Sequence, residues 1–294
     1  MDKVLIVGFE DYRAQAQALC AALQLDYQEI RLHGFPDGES LVQVPVDLPA
    51  HVVLVRSLNQ PNNKLIELLL SVSALRRHGA RRITLIAPYL CYMRQDAENH
   101  PGEAVSQQVI GQLLADSFDD VITVDPHLHR VRRLVQAIPA RHALAVTAAG
   151  EIGQFLKRKY TDGLLVGPDC ESEQWVSEIA TAVGFSYAVA NKVRSGDKQV
   201  AVSLPERDYA GQHAILIDDM ASTGRTLAQA AEKLLQGGAR QVDAVVTHPL
   251  FCSDAEQVIR QSGVTHIWST DSIAHSTNAI SMANVLADAL RQIA

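Results

Sequence analysis

Short apolar runs alternate with stretches of helical periodicity along this chain. His51 to Val55 and Ala214 to Ile217 are unbroken apolar runs, as expected of strands buried on both faces of a parallel sheet. After the first run, apolar residues recur at spacings of three and four from Leu65 to Leu75, which predicts a helix. Strands that alternate with helices in this way predict an α/β fold with mostly parallel sheets flanked by helices.

The pattern predicts the positions of the individual elements. We expect strands at Lys3–Val7, His51–Val55, Ile83–Ala87, Val121–Val124, Leu164–Val166, Tyr187–Ala190, Ile215–Ile217 and Val242–Val246. We expect helices at Asp11–Leu23, Asn63–His78, Ala104–Ser117, Glu173–Val183 and Thr226–Leu235.

An internal repeat indicates two domains of similar structure. HVVLVRSLNQPNNKL, from His51, aligns with HAILIDDMASTGRTL, from His213, and both lead through a helix into Gly-Ala-Arg and a strand. Chance similarity between two α/β units is the alternative explanation. Small residues and a proline interrupt the pattern at 138–147, so we predict domains at 1–143 and 144–294.

Composition narrows the class of protein. With 294 residues, 47% hydrophobic and 20% charged, the chain is expected to be globular and soluble. The net charge of −7 argues against nucleic-acid binding, and the basic runs 76–82 and 130–133 are expected on helix surfaces. We expect no membrane span and no secretory signal. Four scattered cysteines without metal-type spacing fit reduced thiols in a cytoplasmic protein.

The second repeat carries a candidate anion site. Asp218 and Asp219 follow its apolar run, and a turn of small and hydroxyl residues then opens onto a helix. Backbone N–H groups at a helix start favour anions, hydroxyls add donors, and carboxylates can accept from ribose hydroxyls or face a hydrated Mg²⁺. The turn residues are Ala221, Ser222, Thr223, Gly224 and Thr226. An ordinary helix cap behind a solvated acidic pair is the alternative.

Two segments of the first half are candidates for a second site. Phe35-Pro36-Asp37-Gly38-Glu39 forms a turn with two carboxylates beside an aromatic ring. Arg94-Gln95-Asp96 lies beyond the carboxyl end of a buried strand, where α/β sheets place their ligands. Each segment taken alone also fits an ordinary charged surface.

These motifs together resemble one family. The stretch from Asp218 to Thr226 resembles the phosphoribosyl pyrophosphate (PRPP) loop of type I phosphoribosyltransferases and PRPP synthetases. FPDGE, RSLNQPNNKL, PYLCYMRQD, DPH, GPD and IDDMASTGRT follow the order of the ribose-phosphate pyrophosphokinases over essentially the whole chain. The resemblance implies the synthesis of PRPP and AMP from ATP and ribose 5-phosphate, with Mg²⁺.

The resemblance also implies residue roles. ATP would contact Phe35, Asp37, Glu39, Arg94, Gln95, Asp96 and His127, with the first three supplied across a subunit interface. Ribose 5-phosphate would contact Asp218, Asp219, Ala221, Ser222, Thr223, Gly224 and Thr226. Lys192 and Arg194 would be catalytic, and His127 and Asp169 would lie at metal sites. His127 also fits a structural histidine at a strand end, and the segment around Lys192 also fits a polar surface hairpin. A cross-subunit site implies a homodimer or a larger homo-oligomer.

Some positions depart from the family pattern. Ala97 replaces the basic residue that often follows Arg-Gln-Asp, and 170–173 replaces the usual glycines with Cys-Glu-Ser-Glu. Two other functions also stay open: a phosphoribosyltransferase that consumes PRPP, and a non-catalytic regulatory paralogue of a synthetase.

Overall fold

The computed structural model describes residues 3–195 and 199–293, with the backbone alone for 192–195 and 199–201. This part of the chain forms two compact units. The first contains residues 3–147, 272–274 and 282–293, and the second contains 148–271 and 275–281. The last helix therefore belongs to the first unit, whereas the predicted division assigned it to the second.

The first unit is built on a six-stranded sheet in which every neighbouring pair is parallel. Its order is β2-β1-β5-β6-β7-β8, and β3 and β4 form a separate antiparallel hairpin. The strands are β1 (Val4–Gly8), β2 (Asp26–Glu29), β3 (Arg31–Gly34), β4 (Ser40–Gln43), β5 (His51–Val55), β6 (Arg82–Ile86), β7 (Asp120–Val124) and β8 (His142–Val146). The helices are α1 (Arg13–Leu23), α2 (Pro61–Arg77), α3 (Ser106–Ser117), α4 (Leu134–Ala137) and α9 (Ala283–Ile293).

The second unit has a sheet of the same size and kind. Its order is β10-β9-β13-β14-β15-β16, again parallel throughout, and β11 and β12 form an antiparallel hairpin. The strands are β9 (Leu164–Gly167), β10 (Ser186–Val189), β11 (Asn191–Ser195), β12 (Gln199–Ser203), β13 (His213–Met220), β14 (Gln241–His248), β15 (Val264–Thr270) and β16 (Asn278–Ile280). The helices are α5 (Ala149–Lys159), α6 (Glu173–Val183), α7 (Arg225–Gln236) and α8 (Ala255–Gln261).

The two units share one strand order. In each, the second strand lies outside the first, the hairpin follows, and the chain then continues on the other side of the first strand. The predicted α/β fold with two similar domains is therefore confirmed. Strand order reverses between β1 and β5 and between β9 and β13, and such switch points are where open α/β sheets bind ligands.

Burial explains which sequence patterns became strands and helices. All five residues of β5 are buried, as the unbroken apolar run predicts. Helix α7 buries Leu227, Ala230, Ala231 and Leu234, the three- and four-residue spacing of one helix face. Each unit therefore has its own apolar core between sheet and helices.

Two further observations bear on the sequence predictions. The basic run 130–133 was expected on a helix, but it lies before α4, with Arg130, Arg132 and Arg133 in bends, so that prediction is wrong. These arginines share no helix face, and each must be considered separately. Within the described residues, none of the helices combines the length and the apolar character needed to cross a membrane.

Candidate functional site

The turn between β13 and α7 has the geometry of an anion site. Its helix begins at Arg225, and the N-cap Gly224 has a left-handed φ of 70°. The first intrahelical bond runs from the N–H of Ala228 to the carbonyl of Gly224, at 2.9 Å. The amides that precede Ala228 in the first turn have no earlier helical carbonyl to bind. They and the helix dipole therefore favour an anion here.

The segment after β14 is hydrogen-bonded to the backbone of this turn. The N–H groups of Phe251 and Cys252 donate to the carbonyls of Ala221 and Ser222, both at 2.8 Å. A Cβ added to Gly224 would lie 2.8 Å from the carbonyl oxygen of Ala255. Glycine is therefore required at position 224 both by the backbone angle and by the close approach of α8.

The acidic candidates of the second unit lie on two neighbouring strand ends. Asp218 and Asp219 are the two residues before Met220, the last residue of β13, and Asp219 is buried while Asp218 is partly exposed. Asp169 follows β9, the parallel neighbour of β13, so the three carboxylates flank the switch point of this sheet. Asp169 is the N-cap of a short 3-10 helix, Cys170–Ser172. Its Oδ1 accepts hydrogen bonds from the N–H groups of Glu171 and Ser172 at 3.1 and 3.3 Å.

The hydroxyl candidates differ in exposure. Ser222 and Thr226 are partly exposed and Thr223 is exposed, whereas Ala221 is buried beneath them. The hydroxyl-bearing residues of the turn are therefore accessible to solvent, whereas the apolar residue Ala221 is not.

The two basic candidates of the second unit lie on its hairpin. Lys192 and Arg194 belong to β11 and are paired in register with Val202 and Val200 of β12. Their side chains lie outside the part of the structure that is described.

The switch point of the first unit is occupied by the protein's own charged side chains. Arg56, directly after β5, is buried and donates to Glu67 of α2 at 2.6 Å and to Asp11, beyond β1, at 3.3 Å. Its guanidinium also lies 4.0 Å from the centroid of the Phe9 ring. Arg56 aligns with Asp218 in the sequence repeat, so a cation replaces the carboxylate at this place.

A lysine completes the charged cluster. Lys64, on α2, contacts Asp11 at 2.8 Å and donates to the carbonyl of Ser57 at 2.8 Å. Burial lowers the pKa of Lys64, although the ion pair with Asp11 opposes this effect. Arg56, Lys64, Glu67 and Asp11 thus pair with one another, and this loop does not reproduce the candidate anion site of the second unit.

The remaining candidates of the first unit gather at the carboxyl ends of β6 and β7. Arg94 is exposed, and Gln95 donates to Glu103 at 3.1 Å. Asp96 is bonded to Arg130, through both the backbone N–H and the guanidinium. Because β6 and β7 are adjacent and parallel, their loops meet at one edge of the sheet.

His127 lies in the loop after β7. It is partly exposed, and its ring makes an edge contact with the ring of His129, with centroids 4.4 Å apart. Asp125, at the start of this loop, has a left-handed φ of 33°, which for a residue other than glycine marks a constrained backbone.

The FPDGE segment is the turn of the β3–β4 hairpin. The N–H of Phe35 donates to the carbonyl of Glu39 at 2.8 Å, and the N–H of Glu39 donates to Asp37 at 3.1 Å. Phe35 is 40% exposed. The ring of Phe35 makes an edge contact with the ring of His33, with centroids 4.8 Å apart.

The sequence interpretation missed two parts of these sites. Arg130 was counted only as surface charge, and the segment from Phe251 to Ala255 was not considered. Positive φ angles at Phe251 and Ser253 are features of the folded backbone, and no residue type in this stretch indicates them.

Both units of the chain are similar to domains of known proteins. The family model for the N-terminal domain of ribose phosphate pyrophosphokinase matches residues 4–117, and the model for the phosphoribosyl transferase domain matches 136–273. The chain is similar in fold to a phosphoribosylpyrophosphate synthetase from Mycobacterium smegmatis, with a TM-score of 0.84 and 24% identity over 99% of this chain and 98% of that one.

Two curated relatives are similar over nearly their full length. A ribose-phosphate pyrophosphokinase from Methanopyrus kandleri is 31% identical, over 94% of each chain. One from Halobacterium salinarum is 30% identical, over 97% of this chain and 100% of the relative. With both domain models matched and identity at this level over whole chains, the protein belongs to the ribose-phosphate pyrophosphokinase family of enzymes.

Proposed function

We propose that this enzyme transfers the β,γ-diphosphoryl group of ATP to the C1 hydroxyl of ribose 5-phosphate, giving PRPP and AMP. The observation that carries the proposal is the turn after β13, in which an acidic pair precedes a helix start capped by a left-handed glycine. Such a turn binds a phosphate through backbone amides and presents carboxylates to the attached sugar.

The second unit would hold the sugar phosphate. The 5-phosphate is assigned to the turn from Ala221 to Thr226, where partly exposed hydroxyls add donors to the amides. The ribose hydroxyls are assigned to Asp218 and Asp219, because ionised carboxylates accept hydrogen bonds and do not donate them.

The first unit would hold ATP at the carboxyl ends of β6 and β7, through Arg94, Gln95 and His127. The hairpin turn with Phe35, Asp37 and Glu39 would serve the ATP site of a neighbouring copy, in a homodimer or a larger homo-oligomer. The exposure of Phe35, in the turn of this hairpin, supports this assignment.

The reaction itself is a displacement at phosphorus. The C1 oxygen of the sugar forms a bond to the β-phosphorus of ATP, the bond from that phosphorus to the AMP oxygen breaks, and the hydroxyl proton leaves to solvent. Such transfers depend on positioning and on positive charge, and no protein nucleophile is needed. Lys192 and Arg194, on the hairpin of the second unit, are assigned the stabilisation of the charge that develops on the phosphate oxygens.

The carboxylates present fit a magnesium ion. Asp169, Asp218 and Asp219 offer the hard oxygen donors that Mg²⁺ prefers, and they follow two adjacent strands. His127, proposed as a further ligand, has an imidazole nitrogen, which suits Mg²⁺ less well. Bound Mg²⁺ would neutralise charge on the phosphates during the transfer.

The test is a coupled assay for AMP release from ATP. The proposal predicts AMP only when ribose 5-phosphate is present, with one PRPP formed for each AMP. Activity only with PRPP and a purine or pyrimidine base would instead establish a phosphoribosyltransferase. Absence of both activities in a folded protein that changes the activity of an added synthetase would establish a regulatory paralogue.

A further inference from the structure

The carboxylate of Asp96 accepts hydrogen bonds from another residue of the protein, Arg130. Its side chain is only 4% exposed, and its Oδ2 accepts the backbone N–H of Arg130 at 3.0 Å. Its Oδ1 accepts from the guanidinium of the same residue. Both carboxylate oxygens are therefore bonded to Arg130, and the low exposure of this side chain leaves little room for a ligand to reach it.

Arg130, in contrast to Asp96, has an exposed side chain. Its side chain is 63% exposed, although its guanidinium is held by Asp96. A guanidinium has five N–H donors in a rigid plane, and the bond to Asp96 uses the Nη1 group. The remaining donors are thus oriented by a buried carboxylate while the group as a whole stays accessible.

This arrangement lies within the proposed ATP site. Asp96 belongs to the loop after β6 and Arg130 to the loop after β7, the adjacent parallel strand. Arg94, two residues before Asp96, is also exposed on the first loop. Gln107, on α3, donates from its backbone N–H to the carbonyl of Gln95 at 3.1 Å and from its side chain to the carbonyl of Met93 at 3.0 Å. The loop is therefore bonded to α3 on both sides of Arg94.

We propose that Arg130 binds the triphosphate of ATP and that Asp96 is a positioning residue for it. This inference rests on the proposed function and changes the role of Asp96 from a ligand contact to a support. A planar guanidinium whose orientation is set by a buried acid can donate two parallel bonds to phosphate oxygens. From the neighbouring loop, it would supply positive charge beside the loop in which Ala97 follows Asp96.

The test measures ATP affinity separately from turnover. Titration calorimetry with Mg²⁺-ATP, without ribose 5-phosphate, is compared for the wild type and for Arg130→Ala, Arg130→Lys and Asp96→Asn. We expect Arg130→Ala to weaken ATP binding by roughly 10- to 100-fold, the range for a charged hydrogen bond. Arg130→Lys should recover only part of this loss because an ammonium cannot make paired parallel bonds. Asp96→Asn should give an intermediate loss because the guanidinium is retained but held less firmly.

The matched control is Arg132→Ala, an exposed arginine two residues further on. Its ATP affinity should equal that of the wild type. The KM for ribose 5-phosphate should change less than about twofold in all of these variants, since this substrate is assigned to the other unit.

ATP affinity in Arg130→Ala equal to that of the wild type, or an equal loss in Arg132→Ala, would overturn the inference. If Arg130→Ala fails to fold, the ATP affinities of Arg130→Lys and Asp96→Asn decide: wild-type values in both overturn it. A wild-type enzyme that binds ATP but makes no PRPP would refute the proposed reaction, while the affinity comparison would still decide the role of Arg130.

Discussion

Gly224 and Ala255 approach each other so closely that no side chain fits between them. A Cβ at position 224 would lie 2.8 Å from the Ala255 carbonyl oxygen and from the side chain of Ile259. The turn from Ala221 to Thr226 is thus packed against the start of α8, and its shape depends on that contact.

This contact gives a first prediction. Gly224→Ala should destabilise the fold by about 1–3 kcal/mol, because alanine is strained at φ 70° and its Cβ meets backbone. Displacement of the turn should also lower ribose 5-phosphate affinity at least about tenfold, or ~1.4 kcal/mol. Calorimetry with ribose 5-phosphate and thermal melting measure the two effects.

The matched control is Gly150→Ala. Gly150 lies on α5 of the same unit, and its Cβ would meet nothing within 4 Å. This change should stabilise the protein by up to about 1 kcal/mol, through helix propensity, and leave binding unchanged. Equal affinity in the two variants would refute the assignment of the turn.

A second prediction concerns Lys192, which we propose to be catalytic. Lys192→Ala should lower kcat by about a hundredfold or more, which corresponds to roughly 3 kcal/mol of transition-state stabilisation. Ribose 5-phosphate affinity should stay within about twofold, because the turn from Ala221 to Thr226, to which we assign its phosphate, is unchanged. Lys157→Ala, at an exposed lysine of α5, should have wild-type kinetics. A normal kcat in Lys192→Ala would show that the hairpin does not take part in the transfer.

The charged cluster of the first unit gives a third prediction. Glu67→Ala removes the partner of Arg56, whose side chain is 5% exposed, and leaves a buried cation with one fewer carboxylate. We expect a loss of about 3 kcal/mol in the free energy of unfolding. Glu256→Ala, in the exposed ion pair with Arg260, should cost less than about 1 kcal/mol. Urea denaturation measures the free energy of unfolding of both variants. A similar loss in the two would contradict a buried cluster whose charges depend on one another.

A fourth prediction concerns acid stability. Asp243, on β14, is fully buried and accepts from His213 at 3.0 Å, Tyr160 at 2.7 Å and Gln241 at 3.1 Å. Burial opposes its ionisation, but these hydrogen bonds outweigh burial and hold the pKa of Asp243 below its ordinary value.

Because the folded-state pKa is depressed, Asp243 stabilises the protein above the unfolded pKa of about 4, and this contribution is lost as pH falls below it. Asp243→Asn should therefore cost about 2–4 kcal/mol at pH 7, and the difference from the wild type should shrink below pH 4. Melting curves across this range measure it. Asp162→Asn, at an exposed site, should change stability at pH 7 by less than about 0.5 kcal/mol. A constant difference at every pH would contradict the depressed pKa.

The strongly apolar strands could be predicted from the sequence, and the polar ones could not. His51–Val55 matches β5, because a run buried on both faces leaves an unmistakable signal. The strand β3 was missed because all four of its residues are exposed, so no apolar pattern marks it. The return of α9 to the first unit is set by long-range packing, which local periodicity does not encode.

The same limit applies to the candidate sites. Asp218, Asp219 and Gly224 could be placed from their order after a buried strand, since local chain geometry positions them. The pairing of Asp96 with Arg130 joins residues 34 positions apart, and the sequence contains no signal for it. Position in a motif identified Asp96 but not what its carboxylate binds.

The central claim is that the β,γ-diphosphoryl group moves as one unit onto ribose 5-phosphate. The most direct measurement uses ATP labelled in its γ-phosphate and follows the label in the presence of ribose 5-phosphate and Mg²⁺. We predict that the label appears in PRPP, in an amount equal to the AMP formed, and that no AMP forms without the sugar phosphate. Label released as free phosphate together with ADP, or an absence of labelled PRPP, would contradict the account.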